Sequence, residues 1–469
     1  MSLANMRREP FARVLRTPAV AVVLLANLAA APTPPARSSQ PRLSSKAVAT
    51  RAHDWLLPYV EAGDFSGVVL IAQGQRILFE RAYGKADFEH GVPHRLATRF
   101  RIASLSKTFT AAGIEQLLKQ GRLRLTDTLD RFVDGIPNGN QITVSHLLLH
   151  QSGVGRPAKV NPDCLPEEEL ISQLRKAPPS FSPGERSSYS NEGYFLLAVI
   201  LQKVAKVPYE RFLQQNIFAR LGMKNSGSAC KELPRGDNAN GHLPGGSERD
   251  PLPLALDQAV PIGPGSIYST AGDLYRWLRA VDNDALFQVD RLQYPYGWGK
   301  RDYSGHKLIE QSGIVEGFSA HIALYPNEHI YAVVLSNVQS GFFNRIPKDV
   351  ERVLFGGEVS RPPQVARMKR PSSELSEYTG TYRSAKIPVA QQLRLQGEDL
   401  YMQWADGPFL RPLIPTSKDS FYYRVEYASV DVERDEKGQI SRAVWRWPQG
   451  EPLIFEKVAP PGTASPPPK

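Results

Sequence analysis

The spacing of apolar residues changes several times along the chain, and each change predicts an element. Trp55, Leu56, Tyr59 and Val60 recur at helical spacing, which predicts a helix over 48–60. Val68 to Ile71 and Ile77 to Phe79 are short apolar runs on either side of Gly74, as in a hairpin. Helical spacing returns over 108–120 through Ala111, Ile114, Leu117 and Leu118, with Gly121 as its stop. From Leu123 to about Pro264, helix-like runs alternate with polar loops, most clearly at 145–149 and 194–204. A helix over 268–277, capped by Ser269 or Thr270, precedes strands over 321–325 and 331–335. Strands, a helical insert at about 110–265 and strands again predict one α+β domain over 49–358. Its antiparallel sheet is flanked by helices, and the two ends of the segment share that sheet.

A proline-rich break from Arg361 to Pro371 predicts a linker over 359–372. Beyond it Leu393, Leu395, Leu400, Met402 and Trp404 alternate with polar residues, and Val444 to Trp447 follow a turn at Gly438. This predicts a small C-terminal β-domain or barrel over 373–458, with Trp445 and Trp447 packing on one face, and a disordered tail over 459–469. At the other end, Arg7, Arg8, Arg13 and Arg16 precede an apolar stretch ending in Ala29, Ala30 and Ala31. That is the pattern of a signal peptide over 1–31, followed by a tether over 32–48, and it predicts export to the periplasm or medium. No other apolar run is long enough to span a membrane, so no integral membrane domain is expected beyond that leader, should it stay uncleaved.

Composition narrows the function classes. A hydrophobic fraction of 41% with 22% charged residues is that of a folded globular protein. The net charge of +10 becomes +7 once the four arginines and one glutamate of the leader are removed. Basic and acidic residues are interspersed, so no nucleic-acid partner is expected. Cys164 and Cys230 either pair or remain two buried thiols, and alone they make no zinc site. His146 and His150 have the i, i+4 spacing of metal ligands but lack the glutamate of a zincin, so packing or hydrogen-bonding roles are expected. No metal and no organic cofactor is implied, and no Gly-x-Ser-x-Gly elbow or phosphate loop is present.

Three stretches carry chemistry. Ser104 is followed three residues later by Lys107 at the start of a predicted helix, which places an amine beside a hydroxyl. Read alone, a capping Ser and a solvated Lys explain that pattern better. Tyr189 and Asn191 lie two apart in an extended loop and point into one cleft. Gln311, Ser312, Gly313 and Ile314 form a strand edge where a glycine admits a substrate backbone, or simply a glycine bulge.

In this order the three stretches resemble the serine β-lactamase and penicillin-binding protein family, in its class C, D-peptidase and esterase-like branch. Leu147 to Val154, Phe218 to Met223 and Tyr268 to Asp273 resemble segments of the same branch. The resemblance covers about 49–356. It implies that Ser104 forms an acyl-enzyme, that Lys107 is its activating base and that Tyr189 relays protons or, as a tyrosinate or a phenol sharing protons with Lys107, serves as the base itself. Asn191 would hold the substrate amide or ester, together with Gln311, Ser312 and Gly313. The N–H groups of Ser104 and Ile314 would form the oxyanion hole. The expected function is a serine hydrolase acting on an ester, amide, D-peptide or β-lactam-like substrate. The alternative is a catalytically weak penicillin-binding sensor that keeps the fold. Gln311 departs from the family's Lys or His, which shifts the expected substrate towards neutral esters or amides unless Arg301 or Lys307 compensates.

Overall fold

The computed structural model describes residues 43–157, 165–230, 232–245, 260–283, 296–303, 305–405, 407 and 409–458, with the backbone of 252–253. The leader, most of the tether, Cys164 and the tail therefore lie outside the described residues. Cys230 is disulfide-bonded.

The first domain is built on a six-stranded antiparallel sheet. In chain order its main elements are α1 (Ser45–Glu61), β1 (Gly67–Gln73), β2 (Arg76–Tyr83), α2 (Ser106–Lys119), α3 (Asn191–Ala205), α4 (Ala271–Asp282), β3 (Gly299–Tyr303), β4 (His306–Val315), β5 (Phe318–Tyr325), β6 (Ile330–Ser336) and α5 (Ile346–Phe355). The strands are ordered β3-β4-β5-β6-β1-β2, so the start and end of the segment meet where Gly67 faces Ser336 and Gln73 faces Ile330.

Alternation along each strand divides the core in two. Val68, Leu70, Ala320, Ile322, Val333 and Leu335 face α2, α3 and α4, while Val69, Ile71, Ala323, Tyr325, Ala332 and Val334 face α1 and α5. These positions are apolar on both faces because helices cover both. Tyr268 lies in a short strand, Ile267–Ser269, and the following helix begins only after Thr270, whose side chain accepts from the Asp273 N–H. The helix expected over 268–277 therefore starts three residues later, at Ala271, because 267–269 pair as a strand with Phe100–Arg101 and Gly227–Ser228; Thr270, one of the two expected caps, is the cap. Among the described residues no helix is long and apolar enough to cross a membrane.

The C-terminal segment closes into an eight-stranded antiparallel barrel. Its strands are β7 (Gly380–Arg383), β8 (Gln391–Gln396), β9 (Asp399–Trp404), β10 (Arg411–Pro415), β11 (Ser420–Tyr423), β12 (Ala428–Arg434), β13 (Ile440–Arg446) and β14 (Leu453–Lys457). An eight-stranded barrel has an interior about one layer of side chains wide. Tyr382, Met402, Phe421, Tyr423, Trp445 and Phe455 belong to its core, and Trp447 stacks on Trp445 at 5.8 Å. The barrel is bolted to the first domain through Asp64, which receives hydrogen bonds from Arg424 Nε at 2.6 Å and Tyr427 Oη at 2.9 Å.

Candidate active site

Ser104 does not open α2. It sits in a 3-10 turn, Ala103–Leu105, and α2 starts two residues later at Ser106. The turn requires Ala103 to adopt φ +48°, a left-handed conformation that costs a non-glycine residue about 1 kcal/mol or more. Burial of Ala103, Leu105 and Ser106 holds the turn in place. The Ser106 hydroxyl also accepts from the Ile267 N–H at 3.1 Å, which ties the start of α2 to the neighbouring short strand.

Lys107 is wholly buried at 0% exposure. Its Nζ lies 3.2 Å from Ser104 Oγ, 2.8 Å from Asn191 Oδ1 and 3.1 Å from the Pro264 carbonyl. A neutral amine has two N–H bonds and one lone pair. Donation to the Asn191 and Pro264 oxygens uses both N–H bonds and leaves the lone pair for the Ser104 hydroxyl. Burial disfavours the ammonium and lowers the Lys107 pKa to about 7, while the Glu192 carboxylate raises it. A solvated Lys beside a capping Ser is thereby excluded.

Tyr189 and Asn191 flank Ser190, which caps α3 by accepting from the Gly193 N–H at 2.9 Å. The extended backbone at Ser190 sends both neighbours into the same cleft. Tyr189 Oη donates to Ser104 Oγ at 2.6 Å. The ring is 51% exposed, yet its hydroxyl end is enclosed, and burial pushes its pKa above the usual phenol value. At neutral pH it is a phenol and not a phenolate.

Two residues of this site were not assigned to it from the sequence. The Ser190 N–H donates to His150 Nδ1 at 3.1 Å, and the imidazole packs against the Tyr189 and Tyr194 rings with centroids at 4.8 and 5.0 Å. Burial, and then Lys107, lower its pKa to about 4, so it is neutral and props the Tyr189 loop. His146 instead completes a capping box with Thr143 on the short helix Val144–Leu148. His150 lies beyond that helix at φ +58°, so the two histidines do not form a metal-binding pair on one helical face. Glu192 accepts from Ser190 Oγ at 3.0 Å and lies 3.5 Å from Arg156. Its signal was its position beside Asn191, on the turn that faces Lys107.

Strand β4 lies against the Ser104 turn through Gly313. A Cβ there would stand 2.4 Å from the Ile102 carbonyl oxygen and 2.8 Å from the Ser104 nitrogen. No residue with a side chain fits, so glycine brings the β4 backbone, with Ile314 next along it, beside the Ser104 N–H. The Ile314 side chain is among the exposed large apolar groups and forms part of the site's rim.

Gln311 shares the Gly313 face, but both ends of its amide are occupied. Nε2 donates to the Gly297 carbonyl at 2.8 Å and Oε1 accepts from the Ser312 N–H at 3.0 Å. Ser312 has to be corrected as a source of a substrate-binding side chain. Strand alternation turns it to the opposite face, where its hydroxyl bonds His321 Nδ1 at 2.8 Å. Arg301 cannot compensate for Gln311 either, because it pairs with Glu310 and Glu351 on that opposite face. Lys307 shares the Gln311 parity but lies four residues along the strand, about 13 Å away.

A serine hydroxyl held between a buried amine and a phenol, with a glycine-bearing strand edge against its backbone, is a site of the serine hydrolase class. The chain belongs to the beta-lactamase family, whose profile matches residues 53–354. A domain of unknown function, DUF3471, matches 366–457, the segment that forms the barrel. The chain is 29% identical to penicillin-binding protein 4* of Bacillus subtilis over 419 residues, covering 80% of this chain and 90% of that protein. It is 28% identical to the D-alanyl-D-alanine-carboxypeptidase/endopeptidase AmpH of Escherichia coli, covering 57% of this chain and 78% of that protein. The crystal structure of a penicillin-binding protein from Bacillus halodurans superposes with a TM-score of 0.57 at 27% identity, covering 64% of this chain and 98% of that one.

Proposed function

We propose that the protein is an exported hydrolase that forms an acyl-enzyme on Ser104 and acts on small esters or amides without relying on a substrate carboxylate. The observation that carries this reading is the Lys107 amine, buried, with both N–H bonds directed at carbonyl oxygens and its lone pair at Ser104 Oγ. In acylation Lys107 takes the hydroxyl proton as Oγ attacks the carbonyl carbon. The negative charge that develops on the carbonyl oxygen is met by the Ser104 and Ile314 N–H groups, and losing one such donor costs about 3 to 4 kcal/mol. Tyr189 hands its proton to the departing alcohol or amine and recovers one from the Lys107 ammonium. Water then repeats the sequence against the ester of Ser104, which releases the acid and restores the enzyme.

Gln311 supports the neutral substrate. Its amide is spent on Gly297 and Ser312, and it carries no charge to attract a carboxylate. The name of the Escherichia coli relative makes D-alanyl peptides the competing substrate class. The test is to incubate the protein and Ser104→Ala with a p-nitrophenyl ester, a D-alanyl-D-alanine peptide and a fluorescent penicillin. Rapid ester turnover that requires Ser104 is the expected result. Faster hydrolysis of the D-alanyl-D-alanine peptide or of the penicillin than of the ester would remove the neutral-substrate assignment. Penicillin labelling without any turnover identifies a sensor, and absence of acylation by all three sinks the acyl-enzyme itself.

A further inference from the structure

The turn that ends β4 is held by the barrel. Glu316, two residues beyond Ile314, forms an ion pair with Arg411 of β10, and both side chains are largely enclosed at 18% and 9% exposure. The neighbouring Gly317 is fixed from another side. Its N–H donates to Gln339 Oε1 at 3.1 Å, and a Cβ on it would lie 2.7 Å from Gly241 Cα and the His242 nitrogen. Its φ of +79° favours glycine for a second reason. The strip that presses on Gly317 is itself anchored in the barrel, because Leu243 is part of the barrel's apolar core. Two separate contacts thus run from the barrel to one short turn, and that turn ends the strand whose N–H faces the nucleophile.

We propose that Arg411 is a positioning residue and that the barrel acts as a brace for the oxyanion edge. This inference rests on the acyl-enzyme reading for its catalytic consequence, but the bracing itself is a statement about geometry. A partly buried ion pair on the last turn of β4 restricts how far Ile314 can move from the Ser104 N–H. Displacements on the order of 1 Å at such a point cost about a hundredfold in rate. Because Gly241, His242 and Gln339 also hold the turn, loss of Arg411 should loosen the edge without releasing it, and the effect should be smaller.

The test uses the full chain. Amide exchange over 312–318 is measured with ester turnover in wild type, Arg411→Ala, Arg411→Lys, Glu316→Gln and the charge-swapped pair Arg411→Glu/Glu316→Arg. In Arg411→Ala the turn should exchange faster while α2 and the far barrel strands do not, and kcat should fall about tenfold with KM little changed. Arg411→Lys and the swapped pair should recover most of that loss, which a merely folded-or-unfolded effect would not do. Glu316→Gln probes the same contact from the other side should Arg411→Ala fail to fold. Unchanged exchange and turnover in Arg411→Ala, or a swapped pair no better than the single variants, overturns the brace. A wild type that never acylates Ser104 overturns the hydrolase reading instead, and exchange still decides the brace.

Discussion

Strand β4 carries buried ionisable groups against both of its faces, and the two sets are treated differently. Against the Gly313 face, Lys107 has an acceptor or donor in every direction its amine can use, and its pKa has been moved to about 7. On the other face, Glu310, Ser312 and His321 meet Arg301 and Glu351. There, among the described residues, His321 Nε2 and both Glu351 oxygens lack a hydrogen-bond partner, and Glu351 is held by charge alone, from Arg301 at 3.6 Å and from Lys348 and Arg352. Burial alone therefore does not mark the site. What marks it is burial combined with hydrogen bonds that converge on one nucleophilic oxygen.

The largest test of that contrast is Ser104→Ala. It should lower kcat by about 10⁴-fold or more and abolish covalent labelling, with little change in thermal stability because the hydroxyl is partly exposed. Lys107→Met comes next, with kcat falling by about 10³-fold. The amine must be neutral to accept the proton, so kcat/KM should rise with pH through a limb centred near 7. Glu192 raises the Lys107 pKa, so Glu192→Gln should move that limb to lower pH. A limb that reports a group ionising above the usual phenol value would give the role of base to Tyr189, and a limb that stays in place in Glu192→Gln would mean that the Glu192 charge does not reach the base.

Gln311→Lys tests the same face more gently. It removes the clamp on Gly297 and supplies a cation, so ester turnover should fall while the ratio of carboxylate-bearing to neutral substrates rises about tenfold. Parallel rates on a D-alanyl peptide and its amide would measure it. An unchanged ratio would mean that substrate carboxylates never approach this position.

Much of this was readable before the fold was known, and the limits have physical causes. The short apolar runs of β1, β5 and β6, the period-2 alternation of β8 and β9 and the helical spacing of α1 and α2 are local signals, so the split sheet and the barrel were both legible. Ser104, Lys107, Tyr189 and Asn191 were legible through their order along the chain. The 3-10 turn at Ser104 was not, because it depends on the left-handed backbone of Ala103, a residue with no local preference for it. Ser312 was misplaced because its face depends on where β4 sits relative to the helices. Arg411 and Glu316 are 95 residues apart, and only packing of the barrel against the first domain brings them together.

The smallest expected effect lies on the opposite face of β4 and concerns stability. Burial raises the Glu351 pKa to about 7, with Arg301 opposing the shift. An unfolded carboxyl ionises near its ordinary value of 4.5, so the folded protein holds this proton more tightly than the unfolded chain does. The contribution to stability is fully present below about 4.5 and is lost as pH rises through about 7. Glu351→Gln keeps the shape of the protonated acid and removes the titration. It should raise Tm by about 2 °C at pH 8 and change it little at pH 5, as measured by thermal unfolding at the two pH values. Activity should stay within about twofold of wild type, since no hydrogen bond connects Glu351 to Ser104 or Lys107. A large loss of turnover with unchanged Tm would erase the distinction between the two faces, because the buried charges behind β4 would then belong to the chemistry in front of it.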